Sequence, residues 1–292
     1  MTIPAGFEHI VREQEPLGPY TWFRLGGAAQ YFAEPTTVEE LAALVRRCQE
    51  GELPVRVLGG GSNLLVRDEG VAGLVVSLAP AIFGRIAISG KRLTAGGGAR
   101  LGHVISAAVR EGLAGLEQLV GIPGTIGGAL HTNATAHGDD IGQWTVSATV
   151  MNRRGDVATR SRTELRFGYR DSNLDELAIL DATLELELGD PQRLTKQMQQ
   201  AWILKRAGQP ISDENTGLIF KSPGGVSAAS LIDQAGLGSA RVGQASISDR
   251  NANFIVVGPG ATSRDVLELI EQVRKGVAER TGVELEMSVE VW

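Results

Sequence analysis

Cysteine is almost missing from this chain: Cys48 is the one thiol among 292 residues. A single thiol excludes an intramolecular disulfide and a cysteine-built metal cluster. Its spacing after Leu41, Leu44 and Val45 puts it on the apolar face of a helix, as a buried structural group. Aromatic residues are also scarce, at 5%. There is no basic excess. The net charge is −6, which argues against a nucleic-acid partner and against an anionic membrane surface. No apolar run reaches the roughly 18 residues of a membrane span, and no basic-then-apolar leader opens the sequence. The expectation is a soluble, cytoplasmic protein with no membrane insertion and no metal. What the chain has in quantity is glycine, 38 residues, so glycine-rich loops carry much of the architecture. Any phosphate ligand must then rely on backbone amides and a few local cations.

At this length two domains are expected. Thr36-Thr37-Val38-Glu39-Glu40 carries capping-box signals for a helix whose buried stripe is Leu41, Leu44, Val45 and Cys48, ending at Gly51. Strands are predicted at Val55–Leu58, Leu64–Val66 and Leu74–Val76, and a hairpin at Ile86–Ile88 and Arg92–Ala95. Leu101, Val104, Ile105, Ala108 and Val109 repeat at helical spacing. Residues 144–188 read mostly as strand. Gly189-Asp190-Pro191 marks a boundary, so the expected domains are 1–190 and 191–292. A helix follows to about Arg206. Two more are predicted near Ser227–Ala235 and Ser263–Thr281, with strands near Phe254–Val257 and Val283–Val291. This mixture of hairpins and helices favours an α+β fold over regular βαβ alternation.

Two glycine-rich loops about sixty residues apart carry the chemistry. Gly59-Gly60-Gly61-Ser62-Asn63 follows the apolar run Val55–Leu58. Gly121-Ile122-Pro123-Gly124-Thr125-Ile126-Gly127-Gly128 follows Leu116–Val120. Consecutive glycines admit positive φ and close ligand approach, and successive N–H groups in such turns form an anion-binding concavity. Two such loops suit a diphosphate better than one phosphate, which points to a dinucleotide. The first loop runs into strand-like Leu64-Leu65-Val66, so it is not a Rossmann fingerprint, and no Walker A sequence is present. The competing reading is a pair of tight turns between strands.

The run Leu58–Val66, Gly115-Leu116-Glu117 and Gly121–Ala129 resembles the UDP-N-acetylenolpyruvoylglucosamine reductase (MurB) family. The similarity continues through Phe167-Gly168-Tyr169-Arg170-Asp171-Ser172, Phe220-Lys221-Ser222-Pro223, Leu231–Leu237 and Asn253–Val256. It implies a vanillyl-alcohol-oxidase (VAO/PCMH)-type FAD-binding fold followed by a smaller α+β substrate-binding domain. It also implies non-covalent FAD, NADPH as hydride donor, and a UDP-N-acetylglucosamine enolpyruvate substrate reduced to UDP-N-acetylmuramate for peptidoglycan. On this resemblance the diphosphate is expected on the amides of Gly59, Gly60, Gly61, Ser62 and Asn63. Gly121, Gly124 and Thr125 approach the flavin side, and Gly127 and Gly128 permit close packing. Asn133 is a candidate cofactor contact, and reads equally as a turn residue. Tyr169, Lys205, Lys221 and Asn253 are assigned to substrate. Arg170 is assigned to the enolpyruvyl carboxylate and enolate, where a planar, permanently charged fork of donors suits developing negative charge. Glu290, preceding Val291, is the expected second catalytic residue; a competing register puts Ser288 at that place.

The main departure from the family is Leu218. A serine or cysteine normally follows the preceding glycine and delivers a proton, which leucine cannot do; Thr216, Ser222 or a water are the substitutes. Two rivals follow from these residues. One is a flavin oxidase on the same fold, against which stands the lack of a histidine in the first loop to attach the flavin. The other is a protein that kept FAD or UDP-sugar binding and lost turnover. The sequence leaves the oligomeric state open.

Overall fold

The computed structural model describes residues 6–136, 138–210 and 215–292. The chain forms two compact units, each discontinuous in sequence. The first contains the chain up to Glu15, Ala29–Gly60 and Ala72–Ile203. The second contains Pro16–Ala28, Gly61–Val71 and Leu204–Trp292. Two short stretches from the first third of the chain thus fold with the C-terminal region.

In the first unit, helix α1 (Val38–Glu50) starts where Thr37 accepts a hydrogen bond from the Glu40 N–H at 3.0 Å. The Glu40 carboxylate reaches back to the Thr36 N–H and hydroxyl, which lowers its pKa, the Thr36 N–H contributing most. Leu41, Leu44, Val45 and Cys48 are buried as the spacing predicts. They share a core with Leu74 and Val76 of the strand Val71–Ser77. That strand runs parallel to Val55–Leu58, in register Val55↔Leu74 to Leu58↔Ser77. The two form one side of a sheet ordered Val11–Pro16, Ala28–Ala33, Val71–Ser77, Val55–Leu58. The first glycine loop therefore leaves the carboxyl end of a parallel strand, where ligands of α/β sheets commonly bind.

A second sheet of the same unit is antiparallel, ordered Val157–Ser161, Thr145–Met151, Ala178–Glu185, Arg92–Gly96, Ile86–Ser89. The short helix α2 (Pro80–Phe83) precedes its edge hairpin. Helices α3 (Leu101–Arg110) and α4 (Ile126–His131) share its core: Leu101, Val104, Ile105, Ile126 and Leu130 are buried with Leu93, Ala148, Val150, Ala182 and Leu184. Helix α4 is not predicted from its sequence, because Gly127 and Gly128 are poor helix formers. It forms because Thr125 caps it and because its apolar side is buried. Helix α5 (Pro191–Gly208) begins at the expected Gly189-Asp190-Pro191 punctuation.

The second unit packs α6 (Ala228–Gln234) and α7 (Ser263–Thr281) on an antiparallel sheet ordered Thr216–Leu218, Phe254–Val257, Ala245–Ile247, Arg241–Val242. Thr262 and Asp265 form a capping box on α7, and Gly282 ends it at φ +73°. The predicted strand Val283–Val291 is a correction: only Glu290–Val291 is strand. The segment changes partners too often for one ladder. Lys221 N–H donates to Glu286 O, then the Ser288 and Val289 N–H groups both go to Ile219 O, then Glu290 N–H goes to Asn63 O. Leu285 and Val289 are buried, but Met287 is 40% exposed, so the expected single apolar face is also broken.

Burial pushes the Cys48 thiol up to about 11 from 9.0. The folded state therefore holds this proton more tightly than the unfolded state. Its contribution is fully present below pH 9 and is lost as pH rises toward 11. Denaturant unfolding at stepped pH is expected to show wild type losing about 2 kcal/mol more than Cys48→Ala across that window.

Candidate functional site

The two glycine loops meet within the first unit. A Cβ on Gly60 would lie 2.6 Å from Gly124 Cα, and one on Gly59 would lie 3.0 Å from Thr125 Oγ1. Only glycine lets the backbones approach this closely. Gly121 and Gly124 have φ of +77° and +114°. The second loop is stitched down by Leu101 N–H to Gly124 O at 3.1 Å and Ile126 N–H to Ala99 O at 2.9 Å. Thr125 Oγ1 accepts from Gly128 N–H as the cap of α4. The Gly127 N–H is spent on Gly97 O at 2.8 Å, so Gly127 and Gly128 serve packing and the helix start.

Among the described residues, the N–H groups of Gly59, Gly60, Gly124 and Thr125 donate to no protein acceptor. The same holds for Gly61 and Asn63, which fold with the second unit. Unspent donors in glycine loops that a Cβ would fill are the donor set a phosphate anion requires. The residues present therefore fit the diphosphate of a dinucleotide such as FAD. Among the described residues no group of three or more His, Cys, Asp or Glu is arranged to hold a metal ion. Among the described residues no helix is long and apolar enough to cross a membrane.

Tyr169 and Arg170 form the two-residue turn of a hairpin between Phe167–Gly168 and Asp171–Ser172. Arg170 takes φ +56°, where glycine or asparagine is normally needed. A strained non-glycine residue of this kind costs about 1–3 kcal/mol and points to function. Tyr169 is 54% exposed.

Asn133 is placed just after α4. Its side chain is 2% exposed and committed to the protein at both ends. Nδ2 donates to Gly168 O at 2.7 Å, and Oδ1 accepts from Gly142 N–H at 3.0 Å. These bonds tie it to the Tyr169–Arg170 hairpin.

In the second unit, Asn253 is held in a similar way. It is buried; Oδ1 accepts from Phe220 N–H at 3.0 Å and Nδ2 donates to Phe220 O at 2.8 Å. The carboxamide stands in for a strand neighbour and fixes Phe220-Lys221. Lys221 Nζ pairs with the exposed Glu286 at 2.7 Å. Lys205 lies on the last turns of α5, half-buried.

The Asn63 side chain donates to Ser288 O at 2.8 Å, and the Asn63 backbone carbonyl accepts from Glu290 N–H at 2.9 Å. Glu290-Val291 pairs in parallel with Leu64-Leu65. The exposed Glu290 carboxylate accepts from the Trp292 indole N–H at 2.8 Å. Ser288 is half-buried against the backbone of Ile219, next to Leu218. Leu218 itself is half-buried at the end of its strand, paired with Phe254. Of the two hydroxyl substitutes, Thr216 is buried and Ser222 Oγ accepts from Ala228 N–H at 3.2 Å. The role of Asn63 in holding the Glu290 segment escapes sequence reasoning, since it depends on pairing across more than two hundred residues.

Residues 29–161 match the FAD binding domain family, and residues 209–292 match the family described as UDP-N-acetylenolpyruvoylglucosamine reductase, C-terminal domain. A curated UDP-N-acetylenolpyruvoylglucosamine reductase 2 of Symbiobacterium thermophilum is 43% identical, over 97% of this chain and 92% of that protein. The reductase of Rhodopirellula baltica is 38% identical over 99% and 95%. The crystal structure of the MurB enzyme from Thermus caldophilus superposes with a TM-score of 0.83 at 36% identity, covering 97% of this chain and 99% of that one. The α+β architecture, the FAD-binding region and the resemblance read from the glycine loops are all borne out. The chain, with its two converging glycine loops and its C-terminal α+β unit, belongs to the UDP-N-acetylenolpyruvoylglucosamine reductase (MurB) family.

Proposed function

We propose that the protein reduces UDP-N-acetylglucosamine enolpyruvate to UDP-N-acetylmuramate with NADPH, as a cytoplasmic enzyme of peptidoglycan precursor synthesis holding FAD non-covalently. The observation that carries this reading is the contact between Gly59-Gly60 and Gly124-Thr125, with the N–H donors it leaves unspent, in a chain of this family. The balance is one hydride and one proton added across the enolpyruvyl double bond, with NADPH becoming NADP⁺. FAD held at these loops would supply the hydride chemistry between NADPH and the enolpyruvyl group.

Backbone amides of Gly59, Gly60, Gly61, Ser62, Asn63, Gly124 and Thr125 hold the diphosphate, and Gly121 shapes the second loop. The absence of histidine from the first loop agrees with non-covalent attachment. Arg170 orients the substrate carboxylate and stabilises the enolate-like charge that develops as the hydride arrives. Glu290 polarises the enolpyruvyl group from the C-terminal strand. Tyr169, Lys205 and Lys221 meet the sugar nucleotide and its phosphates. Leu218 holds no transferable proton, so the final protonation uses water or another hydroxyl. That same residue favours the second reading, a protein that binds FAD and UDP-sugar without turnover.

Product analysis separates these readings: incubation with NADPH and the enolpyruvyl sugar nucleotide is expected to yield a product two hydrogens heavier. Ligand binding without that product would leave the second reading standing. Arg170→Ala is expected to lower kcat by about 10²–10³-fold while flavin stays bound; unchanged kcat would remove Arg170 from the mechanism. Glu290→Gln is expected to lower kcat more than Ser288→Ala, and the reverse order would take the role from Glu290. In Gly60→Ala the added methyl meets Gly124 Cα at 2.6 Å. The purified variant is expected to carry little flavin, and a full flavin spectrum would contradict the cradle.

A further inference from the structure

We propose that Asn133 is the positioning residue of Arg170, holding the Tyr169–Arg170 turn in its left-handed conformation from the C-terminal end of α4. The inference rests on the role given to Arg170 above. Asn133 follows Thr132, the C-cap of α4, and itself takes a positive φ of 45°. Its backbone is pinned by Asn133 N–H to Leu130 O at 3.2 Å and by the Thr135 hydroxyl, which donates to Asn133 O at 2.6 Å. From this fixed base the buried Nδ2 reaches Gly168 O, one residue before the turn. A second tether acts two residues beyond the turn pair, where Ser172 Oγ donates to His131 O at 2.9 Å. Both strands of the hairpin therefore hang from the end of one short helix.

The other end of the Asn133 carboxamide is equally constrained. Gly142 N–H donates to Oδ1, and a Cβ on Gly142 would run into the Phe167 ring. Phe167 thus packs on the residue that orients Asn133, and it begins the hairpin that Asn133 holds. A hydrogen-bonded two-residue turn does not by itself favour an arginine at φ +56°. The surroundings must over-determine that conformation for it to persist, and these contacts do so. Helix α4 starts at Thr125 in the second glycine loop. It is a strut of about 9 Å, at about 1.5 Å per residue, between that loop and the base of the Arg170 hairpin.

Asn133→Asp isolates the contact, since it keeps the acceptor for Gly142 N–H and removes the donor to Gly168 O. The test is a double-mutant cycle in the FAD-loaded enzyme: wild type, Asn133→Asp, Arg170→Ala and the double variant. Asn133→Asp is expected to lower kcat/KM for the enolpyruvyl sugar nucleotide by about 10- to 100-fold, the scale of a small misplacement of a catalytic group. Its flavin content should match wild type, and amide hydrogen exchange across Gly168–Ser172 should accelerate. The double variant should be no slower than Arg170→Ala alone. Wild-type kcat/KM in Asn133→Asp, loss of its flavin, or losses that multiply in the double variant would overturn the inference and leave the Arg170 role intact. Wild-type kcat/KM in Arg170→Ala would overturn the Arg170 role and the inference with it. If Asn133→Asp does not fold, Asn133→Ser, which is too short to reach Gly168 O, goes through the same cycle with the same criteria.

Discussion

The close approach of Gly60 to Gly124 is the constraint on which the cofactor half of the structure depends. It sets two loops, more than sixty residues apart in sequence, side by side with the Gly59, Gly60, Gly124 and Thr125 amides unspent among the described residues. Each loop is fixed from behind. The first is held by the strand Val55–Leu58, paired in parallel with Val71–Ser77. The second is held by backbone bonds to Ala99 and Leu101 and by the capped start of α4. An acidic chain can hold a diphosphate this way because backbone dipoles, unlike lysines, are oriented before the ligand arrives. A methyl group at Gly60 would separate the loops, whatever else the protein retained.

Three asparagines show a second theme. Asn63, Asn133 and Asn253 each turn a carboxamide onto backbone groups distant in sequence: Ser288 O, Gly168 O with Gly142 N–H, and Phe220 N–H with Phe220 O. A carboxamide carries the same donor and acceptor as a peptide group. It can therefore satisfy buried main chain where no strand runs alongside. In each case the segment so held carries a proposed functional residue: Glu290, Arg170 and Lys221 respectively. A buried unpaired backbone group is costly, so these side chains fix the geometry of segments that lack a regular ladder of their own.

Much of this was legible in the sequence, for reasons that differ by element. Helices α1, α3 and α7 announce themselves through apolar spacing and caps, both local signals, and the structure follows them closely. The glycine loops are legible because positive φ and close approach leave a residue-type imprint. Helix α4 is illegible because its glycines argue against a helix that tertiary burial and the Thr125 cap impose. The alternation from Val283 to Val291 suggests one strand, but pairing with Ile219 and then Asn63 breaks it, and partner changes leave no trace in periodicity. The backbone contacts of Asn133 and Asn253 are illegible for a related reason. Sequence shows a polar residue in a motif, and only the fold shows which main-chain groups it holds.

The most direct test of the account is an anaerobic visible spectrum of the purified protein, first alone, then with NADPH, then with UDP-N-acetylglucosamine enolpyruvate. The account predicts flavin bands at the start, bleaching with NADPH, and their return with the enolpyruvyl sugar nucleotide. Flavin that bleaches but is not restored by that substrate, or a protein that neither carries nor takes up flavin, would contradict it.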